Sequence, residues 1–312
     1  DPAVGPFYSI DETINTVFAM AELGADDSRL KGNIGIQFQD VEQSSTGLLE
    51  TLLLDQNCNR ISTTQSVGDT YSHVLPSANL SYDVKDDVVV RLGVGRSVTR
   101  PRLDDLAANQ SVGTSNLVCV DTDNDQLPDT IIPGGFSPPT NVCVNVSGGN
   151  PFLRPYESTN FDGSVEWYFS TAGAFSVAVF HKSIDEYVQG FNSVITDADF
   201  VSTLVDPAFV GANPEVATFS IGGPANIGEG SLTGFELALR LPLDEVFDAP
   251  ILEGFGFNGN FNYTDAEVDF ANGQVPIPGY SSETGSAEIY YEKNGFRARV
   301  NTAYRSSYVA AL

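Results

Sequence analysis

The feature that most constrains this chain is a two-residue alternation over residues 254–263, which read GFGFNGNFNY. Aromatic rings occupy one parity, and glycine and asparagine occupy the other. Side chains of a β-strand point alternately to the two faces of a sheet, so this stretch predicts a strand with one apolar and one small polar face. In a soluble sandwich the apolar face meets a core, whereas in a membrane barrel it meets lipid and the polar face lines a wet lumen.

Similar patterns recur along the chain, and helical periodicity is scarce. We expect about ten strands, at residues 12–24, 29–41, 71–83, 87–98, 159–169, 174–189, 228–241, 254–265, 283–292 and 295–306. Most exceed the usual ~5–6 residues and reach the ~9–11 that a tilted membrane-spanning strand needs.

The connections between these strands alternate in length. The connections at 25–28, 84–86, 170–173 and 293–294 are short, those at 42–70, 99–158, 190–227 and 266–282 are long, and that at 242–253 is intermediate. An up-and-down barrel places every second connection on the same side, so the alternation predicts short periplasmic turns and long extracellular loops. A sandwich gives no reason for this pattern.

Charged side chains avoid the apolar parity of the predicted strands. They include Lys31, Arg91, Asp162, Glu166, Lys182, Glu236, Arg240, Glu288, Arg297 and Arg299. A cation on the lipid face at mid-membrane is destabilising by ~2–4 kcal/mol, so a barrel predicts this segregation, but so does a soluble sheet with one wet face. Arg96 departs from the parity near the outer end of its strand, where that penalty is small.

Composition excludes two classes of protein. No run approaches the ~18 apolar residues of a transmembrane helix, which excludes a helical membrane protein. The formal net charge of -26 repels phosphates, which excludes a nucleic-acid partner.

The sequence contains no recognisable catalytic group. His73 and His181 are far apart in the sequence, and no nucleophile elbow or Ser/His/Asp grouping is present, so we expect that the protein is not an enzyme.

Three blocks in this order resemble the β-barrel part of TonB-dependent outer-membrane receptors. They are residues 75–80 (LPSANL), 96–101 (RSVTRP) and 149–160 (GNPFLRPYESTN). Residues 30–35 and 230–236 also fit, and the resemblance covers nearly the whole chain. It implies a partial, all-β, antiparallel up-and-down transmembrane barrel over residues 1–312, with about ten strands of a larger barrel, and without the plug domain and the last strands.

The same resemblance implies ligand-gated active transport of a scarce solute, an oligosaccharide or a siderophore–iron complex, across the bacterial outer membrane. The implied partners are outer-membrane lipid, the solute, and a TonB-type energy-coupling protein that acts through a plug domain. The alternative is a secreted, calcium-stabilised β-sandwich or β-helix that acts as a binding module.

An acidic loop and two cysteines form one candidate site. Alternating carboxylates followed by one more, Asp121, Asp123, Asp125 and Asp129, resemble the start of an EF-hand loop and are a candidate Ca²⁺ site. The pattern departs from that loop because Gln126 replaces the turn glycine and Ile132 stands where a bidentate Glu would be. The alternative is a solvated acidic loop, and no other cofactor is expected. Cys119 and Cys143 lie on either side of the loop and predict a disulfide, and Cys58 is then the one cysteine of the sequence outside that bond.

A second candidate site lies where the fourth predicted strand enters the longest loop and where that loop returns. Its residues are Arg96, Arg100, Arg102, Asp104, Asn150 and Arg154. In a barrel they would lie at the outer mouth, where a solute docks. The interpretation that we favour is structural, with Pro101 and Pro151 fixing turns and the arginines paired to loop carboxylates.

Overall fold

The computed structural model describes residues 8–25, 27–54, 60–114, 117–120, 130–133, 142–194, 217–270 and 273–310. Nearly all the ordered elements are strands. Short helical turns occur only at Leu103–Leu106, Leu243–Val246 and Pro250–Leu252 within these ranges. Across the described ranges, no helix is long and apolar enough to cross a membrane.

Ten long strands confirm the ten that the sequence predicts. They are β1 (Tyr8–Leu23), β2 (Leu30–Leu54), β3 (Arg60–Lys85), β4 (Val88–Thr99), β9 (Tyr156–Trp167), β10 (Ala174–Val194), β11 (Ala217–Pro242), β12 (Phe255–Phe270), β14 (Glu283–Lys293) and β15 (Phe296–Arg305). Five short strands lie in the connections: β5 (Gln110–Thr114), β6 (Leu117–Val120), β7 (Thr130–Pro133), β8 (Val142–Gly148) and β13 (Gly273–Pro276).

Each long strand pairs antiparallel with the next long strand along the chain, as an up-and-down barrel requires. The predicted short turns join them at one end. The β14–β15 turn has positive φ at both Asn294 (53°) and Gly295 (79°), which is the geometry of a two-residue type I′ hairpin. Its backbone twist matches that of the flanking strands, so the Asn-Gly pair fixes their register.

The strands extend further toward the long-loop end than the sequence predicts. The connection 42–70 is mostly the continuation of β2 and β3, which pair from Leu30↔Tyr82 to Leu54↔Arg60. This stretch is rich in serine and threonine and lacks a strong apolar alternation, so the pattern that marks the membrane-level strand fades there. Cross-strand backbone hydrogen bonds maintain the ladder without it.

The outer ends of the strands close into a ring. β5 pairs with β2 at Leu49↔Gln110, β5 pairs with β8, and β8 runs parallel to β11 from Val142↔Ala217 to Ser147↔Gly222. With β3, β4, β9 and β10 these strands form a closed barrel of eight, and β1 and β12–β15 extend from β2 and β11. β5 and β8 thus pair with the outer segments of β2 and β11, beyond the segments that pair with β1 and β12. This pairing leaves fewer backbone groups of the two strands without a hydrogen-bond partner.

The apolar parity forms one continuous outward face. The cross-strand register places Ala78, Val94 and Phe161 in one row. The next row toward the short turns contains Leu92, Gly163 and Val179. This face is open to the surroundings, because large side chains that belong to it are more than half exposed. The exposed fractions are 54% for Ile34, 57% for Leu92, 56% for Val179 and 59% for Ile289. The apolar side chains therefore do not lie between two stacked sheets, and the sandwich and β-helix alternatives are wrong.

The outward belt has a defined outer limit on β2 and β3. It ends at the cross-strand pair Phe38↔Val74, because Asp40↔Ser72 follows on the same face. The opposite parity of β2 turns inward, and at the outer end of the strand Val41, Gln43 and Ser45 are buried. The barrel interior is therefore packed at its outer end, beyond the level of the belt.

Two features of the inward face depart from a purely polar lining. A small apolar cluster of Leu232, Ala266, Val268 and Ile277 forms where β13 folds back beside β12. On β1, Phe18 and Met20 share rows with Gln37 and Gly35 of β2, so this parity of the edge strand is also apolar, although both side chains are exposed, at 74% and 60%.

Candidate functional site

The two ends of the β4–β9 connection, residues 102–109 and 148–155, cross the inside of the ring at its outer end; we call them the inner loop. Leu106, Ala107, Ala108 and Leu153 of this loop are each at most 3% exposed. The two ends hold each other, because the Asn150 N–H donates to the Asp105 carbonyl at 2.6 Å. An apolar, internally bonded segment therefore lies inside the barrel mouth rather than projecting into solvent.

On one side the inner loop is bonded to β2 and β3. The buried Gln43 amide donates to the Pro151 carbonyl at 2.9 Å, and the buried Ser45 hydroxyl accepts from the Ala108 N–H at 2.8 Å. Gln65 of β3 donates to the Ala108 carbonyl at 2.8 Å. These side chains pair backbone groups of the loop that have no strand partner.

On the other side the inner loop is bonded to β11. The Asn226 side chain accepts from the Arg154 N–H at 2.9 Å and donates to the Arg154 carbonyl at 3.0 Å. The Asn150 amide donates to the Pro224 carbonyl at 3.2 Å. The inner loop thus joins two walls of the ring, and Asn150 has a structural role in that connection.

Carboxylates pair with each of the four predicted arginines. Arg96 pairs with Glu157 at 2.9 Å, Arg100 with Glu12 at 3.0 Å, Arg154 with Asp69 at 3.0 Å, and the more exposed Arg102 with Asp104 at 3.6 Å. This pairing supports the structural interpretation of these residues. Whether any of them contacts a solute stays a prediction.

Two of these arginines come together at Tyr71 of β3. The Arg154 guanidinium lies 5.2 Å from the centre of the Tyr71 ring. Tyr71 lies outside the apolar belt, and burial raises the pKa of its hydroxyl; Glu12 also raises this pKa, and Arg100 and Arg154 lower it. Arg96 lies on the outward face, in the row of Thr159.

A buried histidine adjoins this group and was not predicted as part of it. His73 packs edge-on against Tyr71, with ring centroids 5.3 Å apart, and its Nδ1 lies 3.0 Å from Glu157 Oε1. Glu157 therefore joins His73 and Arg96 through its two oxygens. Only Glu157 had a sequence signal, because it lies in the 149–160 block; Glu12, Asp69 and Asn226 lie in no recognisable motif.

Four buried polar atoms of this region have no hydrogen-bond partner within the described chain. They are Gln39 Oε1, Tyr71 Oη, His73 Nε2 and Arg154 Nη1. Register places Gln39 opposite His73 and Val41 opposite Tyr71, so the first three belong to adjacent rows on one face. Each unpaired buried group is destabilising by ~1–3 kcal/mol, so such a concentration marks a functional candidate.

Below the inner loop, the inward face lines a cavity of about 910 Å³. Its lining includes Lys31, Arg91, Asp162, Lys182 and Glu236, all on the parity opposite the outward belt. Charges of both signs thus face the interior at the level where the outside is apolar.

The predicted metal and disulfide residues receive no structural test. Asp121, Asp123, Asp125 and Asp129 lie outside the described residues, as does Cys58. The backbones of Cys119 and Cys143 lie in β6 and β8, and their side chains are not described. In the part of the chain that is described, no three His, Cys, Asp or Glu side chains are grouped to hold a metal ion.

A sequence description of the TonB dependent receptor-like β-barrel family matches residues 1–311. The chain belongs to this family. TonB-dependent receptors are outer-membrane proteins that act as receptors and transporters rather than enzymes. No curated protein sequence matches the chain.

Solved TonB-dependent receptors share the fold. The ferric enterobactin receptor PfeA of Pseudomonas aeruginosa is 11% identical, with a TM-score of 0.51 over 96% of this chain and 42% of its own. The ferric citrate transporter FecA is 13% identical, with a TM-score of 0.57 over 97% and 34%. The siderophore receptor PiuA of Acinetobacter baumannii is 12% identical, with a TM-score of 0.50 over 95% and 34%. This chain therefore spans less than half the length of these receptors.

Proposed function

We propose that this chain forms part of the wall of a receptor that imports a scarce solute across the bacterial outer membrane. A TonB-type coupling protein would supply the energy through a plug domain of the full-length receptor. The observation that carries the proposal is the division of the wall into an apolar outside and a charged inside around the 910 Å³ cavity. That division suits a hydrophilic solute crossing a lipid layer.

Oligosaccharides and siderophore–iron complexes are the two solute classes that we propose. The structure favours oligosaccharides, because the four described arginines of the outer mouth already pair with carboxylates and so attract an anionic chelate weakly. The unpaired polar atoms of Gln39, Tyr71 and His73 are of the types that bind hydroxyl groups. The iron-chelate receptors named above share only the fold at 11–13% identity and do not decide between the classes.

A ligand screen on the full-length receptor tests this proposal. A solute present at 100 times its Kd should stabilise the receptor by about 2.7 kcal/mol, which is visible as a raised melting temperature. Uptake of each hit is then measured in cells with and without the TonB-type protein. Uptake that persists without the coupling protein would contradict the proposal, and a response only to ferric siderophores would contradict the preference for oligosaccharides.

We also propose that the carboxylates at positions 121, 123, 125 and 129 bind Ca²⁺, which their spacing supports. Adding CaCl₂ to the metal-free full-length receptor should raise its melting temperature, and Asp123→Asn combined with Asp125→Asn should abolish the increase. MgCl₂ is the control, because Mg²⁺ keeps most of its own water ligands. An equal response to both salts would indicate a solvated acidic loop.

A further inference from the structure

The outward face carries a groove of about 940 Å³ around Gly163 of β9. Gly163 is opposite Leu92 on one side and Val179 on the other, and both of these side chains are more than half exposed. The groove exists because a glycine interrupts a face of large aliphatic and aromatic side chains.

Packing does not require a glycine at this position. A Cβ added to Gly163 would lie 3.5 Å from Leu92 Cδ2 and 3.6 Å from Val179 Cγ2, which are ordinary contact distances. The backbone there is regular strand paired on both sides. The depression can therefore be filled by substitution without strain, which makes its role testable.

A polar pair lies at the outer rim of the groove. His181 Nδ1 is 2.7 Å from Thr233 Oγ1, and both residues share a row with Phe161, one row outward of Gly163. If Nδ1–H donates, the threonine O–H is left to donate to another group. If the threonine O–H donates, His181 Nε2–H is left. In either tautomer the pair keeps one donor. Asp265, which is opposite Thr233 in the same row and also lines the groove, offers one acceptor for it, and an external oxygen offers another.

The outward surface becomes polar beyond this pair. The next row holds Arg96, Thr159, Ser183 and Ser231. The groove thus leads from an apolar floor to hydrogen-bond donors and then to a polar band. This sequence of environments matches that of a bilayer lipid, from its acyl chain to its ester oxygens and its headgroup.

We propose that this groove seats an acyl chain of an outer-leaflet membrane lipid, and that the His181–Thr233 pair donates a hydrogen bond to an ester or headgroup oxygen of that lipid. The groove is continuous with the exposed apolar belt that faces the membrane in this family, which argues for lipid over a protein partner. The proposal depends on the outer-membrane placement in the proposed function and is independent of which solute is transported.

Photo-crosslinking in vesicles tests the proposal. The full-length receptor is reconstituted in phosphatidylethanolamine and phosphatidylglycerol that contain a phosphatidylethanolamine with a diazirine in its acyl chain, and crosslinked peptides are mapped by mass spectrometry. We expect a several-fold excess of lipid adducts at Leu92 and Val179 over Ile289 and Val300, which are at least as exposed on the same face but do not line this groove.

Two substitutions make the test specific. Gly163→Leu should reduce the adducts at Leu92 and Val179 to the level found at Ile289, whereas Gly190→Leu, whose added Cβ would meet nothing within 4 Å, should leave them unchanged. Thr233→Val should lower the adduct yield by removing the hydroxyl. If Gly163→Leu fails to insert, Val179→Trp fills the groove from its other wall.

Several results would overturn the proposal. Adducts spread evenly over the outward face, or an excess that survives Gly163→Leu, would show that no lipid is seated there. Unchanged yield in Thr233→Val would remove the polar contact from the proposal. A crosslink to a second receptor through this face would assign the groove to a protein contact. Adducts on neither the groove nor the rest of the outward face would instead contradict the membrane placement.

Discussion

The side chain of Asn226 binds both backbone groups of Arg154, accepting from its N–H at 2.9 Å and donating to its carbonyl at 3.0 Å. The same amide donates to the Glu186 carbonyl at 2.8 Å, beside the irregularity where Glu186 has φ of 60°. One side chain therefore substitutes for a strand partner of the inner loop and satisfies a distorted position of β10.

Replacing this residue tests the connection between the inner loop and β11. Asn226→Ala should lower the free energy of unfolding of the full-length receptor by about 1–3 kcal/mol, because it leaves partly buried backbone groups unpaired. Asn33→Ala, which removes an exposed side-chain hydrogen bond to Asn79, is the control and should change it by less than about 0.5 kcal/mol. Equal effects of the two variants in urea unfolding would show that the inner loop is not held by Asn226.

For the Tyr71 hydroxyl we predict the opposite effect, namely that its removal stabilises the folded protein. It is buried and has no partner within the described chain, so Tyr71→Phe should stabilise the receptor by about 1 kcal/mol at neutral pH. Because burial raises the pKa of Tyr71 above its ordinary value of 10.0, the folded state retains the phenolic proton longer than the unfolded state. As the pH rises from 10, ionisation of this tyrosine in the unfolded state therefore destabilises the folded protein further, and Tyr71→Phe should remove that part of the alkaline destabilisation.

Urea unfolding of both proteins at about pH 7 and about pH 11 measures this difference. The advantage of Tyr71→Phe should be larger at the alkaline pH. A loss of stability at neutral pH would mean that the hydroxyl contributes a favourable interaction, for example with a bound solute, and solute affinity would then be measured for the same variant.

A double-mutant cycle on the Arg154–Asp69 pair tests whether the outer-mouth arginines stabilise the structure or bind the solute. Both side chains are partly exposed, at 40% and 26%, so we expect a coupling energy of no more than about 1 kcal/mol in a double-mutant cycle of Arg154→Met and Asp69→Asn. If Arg154 has a structural role, the effects of the two substitutions on the free energy of unfolding should be measurably non-additive, and the Kd for the solute should be unchanged in each variant. A large loss of solute affinity in Arg154→Met alone would assign this residue to the binding site.

A matched pair of substitutions in β12 tests the two faces of the wall. Phe261→Lys places a cation in the outward belt and should lower the free energy of unfolding by at least about 2–4 kcal/mol. Asn260→Lys, one residue away on the inward parity, should change it by about 0.5 kcal/mol or less. Folding of both variants in lipid vesicles, followed by tryptophan fluorescence and protease resistance, gives the two values, and similar losses would contradict the assignment of faces.

The sequence predicted those parts of the structure that depend on local pattern. The alternation at 254–263 located β12 and its outward face, and the short connection at 293–294 marked the last hairpin. The extensions of β2 and β3 were missed because their ladder depends on pairing across the hairpin rather than on apolar periodicity. The contact of Asn226 with Arg154 joins residues 72 positions apart, and no local signal exists for such a pair.

The most direct test of the central claim is a nitroxide scan of residues 161–166 in β9 of the full-length receptor, with each position in turn changed to cysteine and spin-labelled in a cysteine-free background. Collisions with dissolved oxygen report exposure to lipid, and collisions with a water-soluble nickel chelate report exposure to water. The account predicts oxygen maxima at 161, 163 and 165 and minima at 162, 164 and 166. Oxygen maxima at the even positions, or no two-residue period, would contradict it.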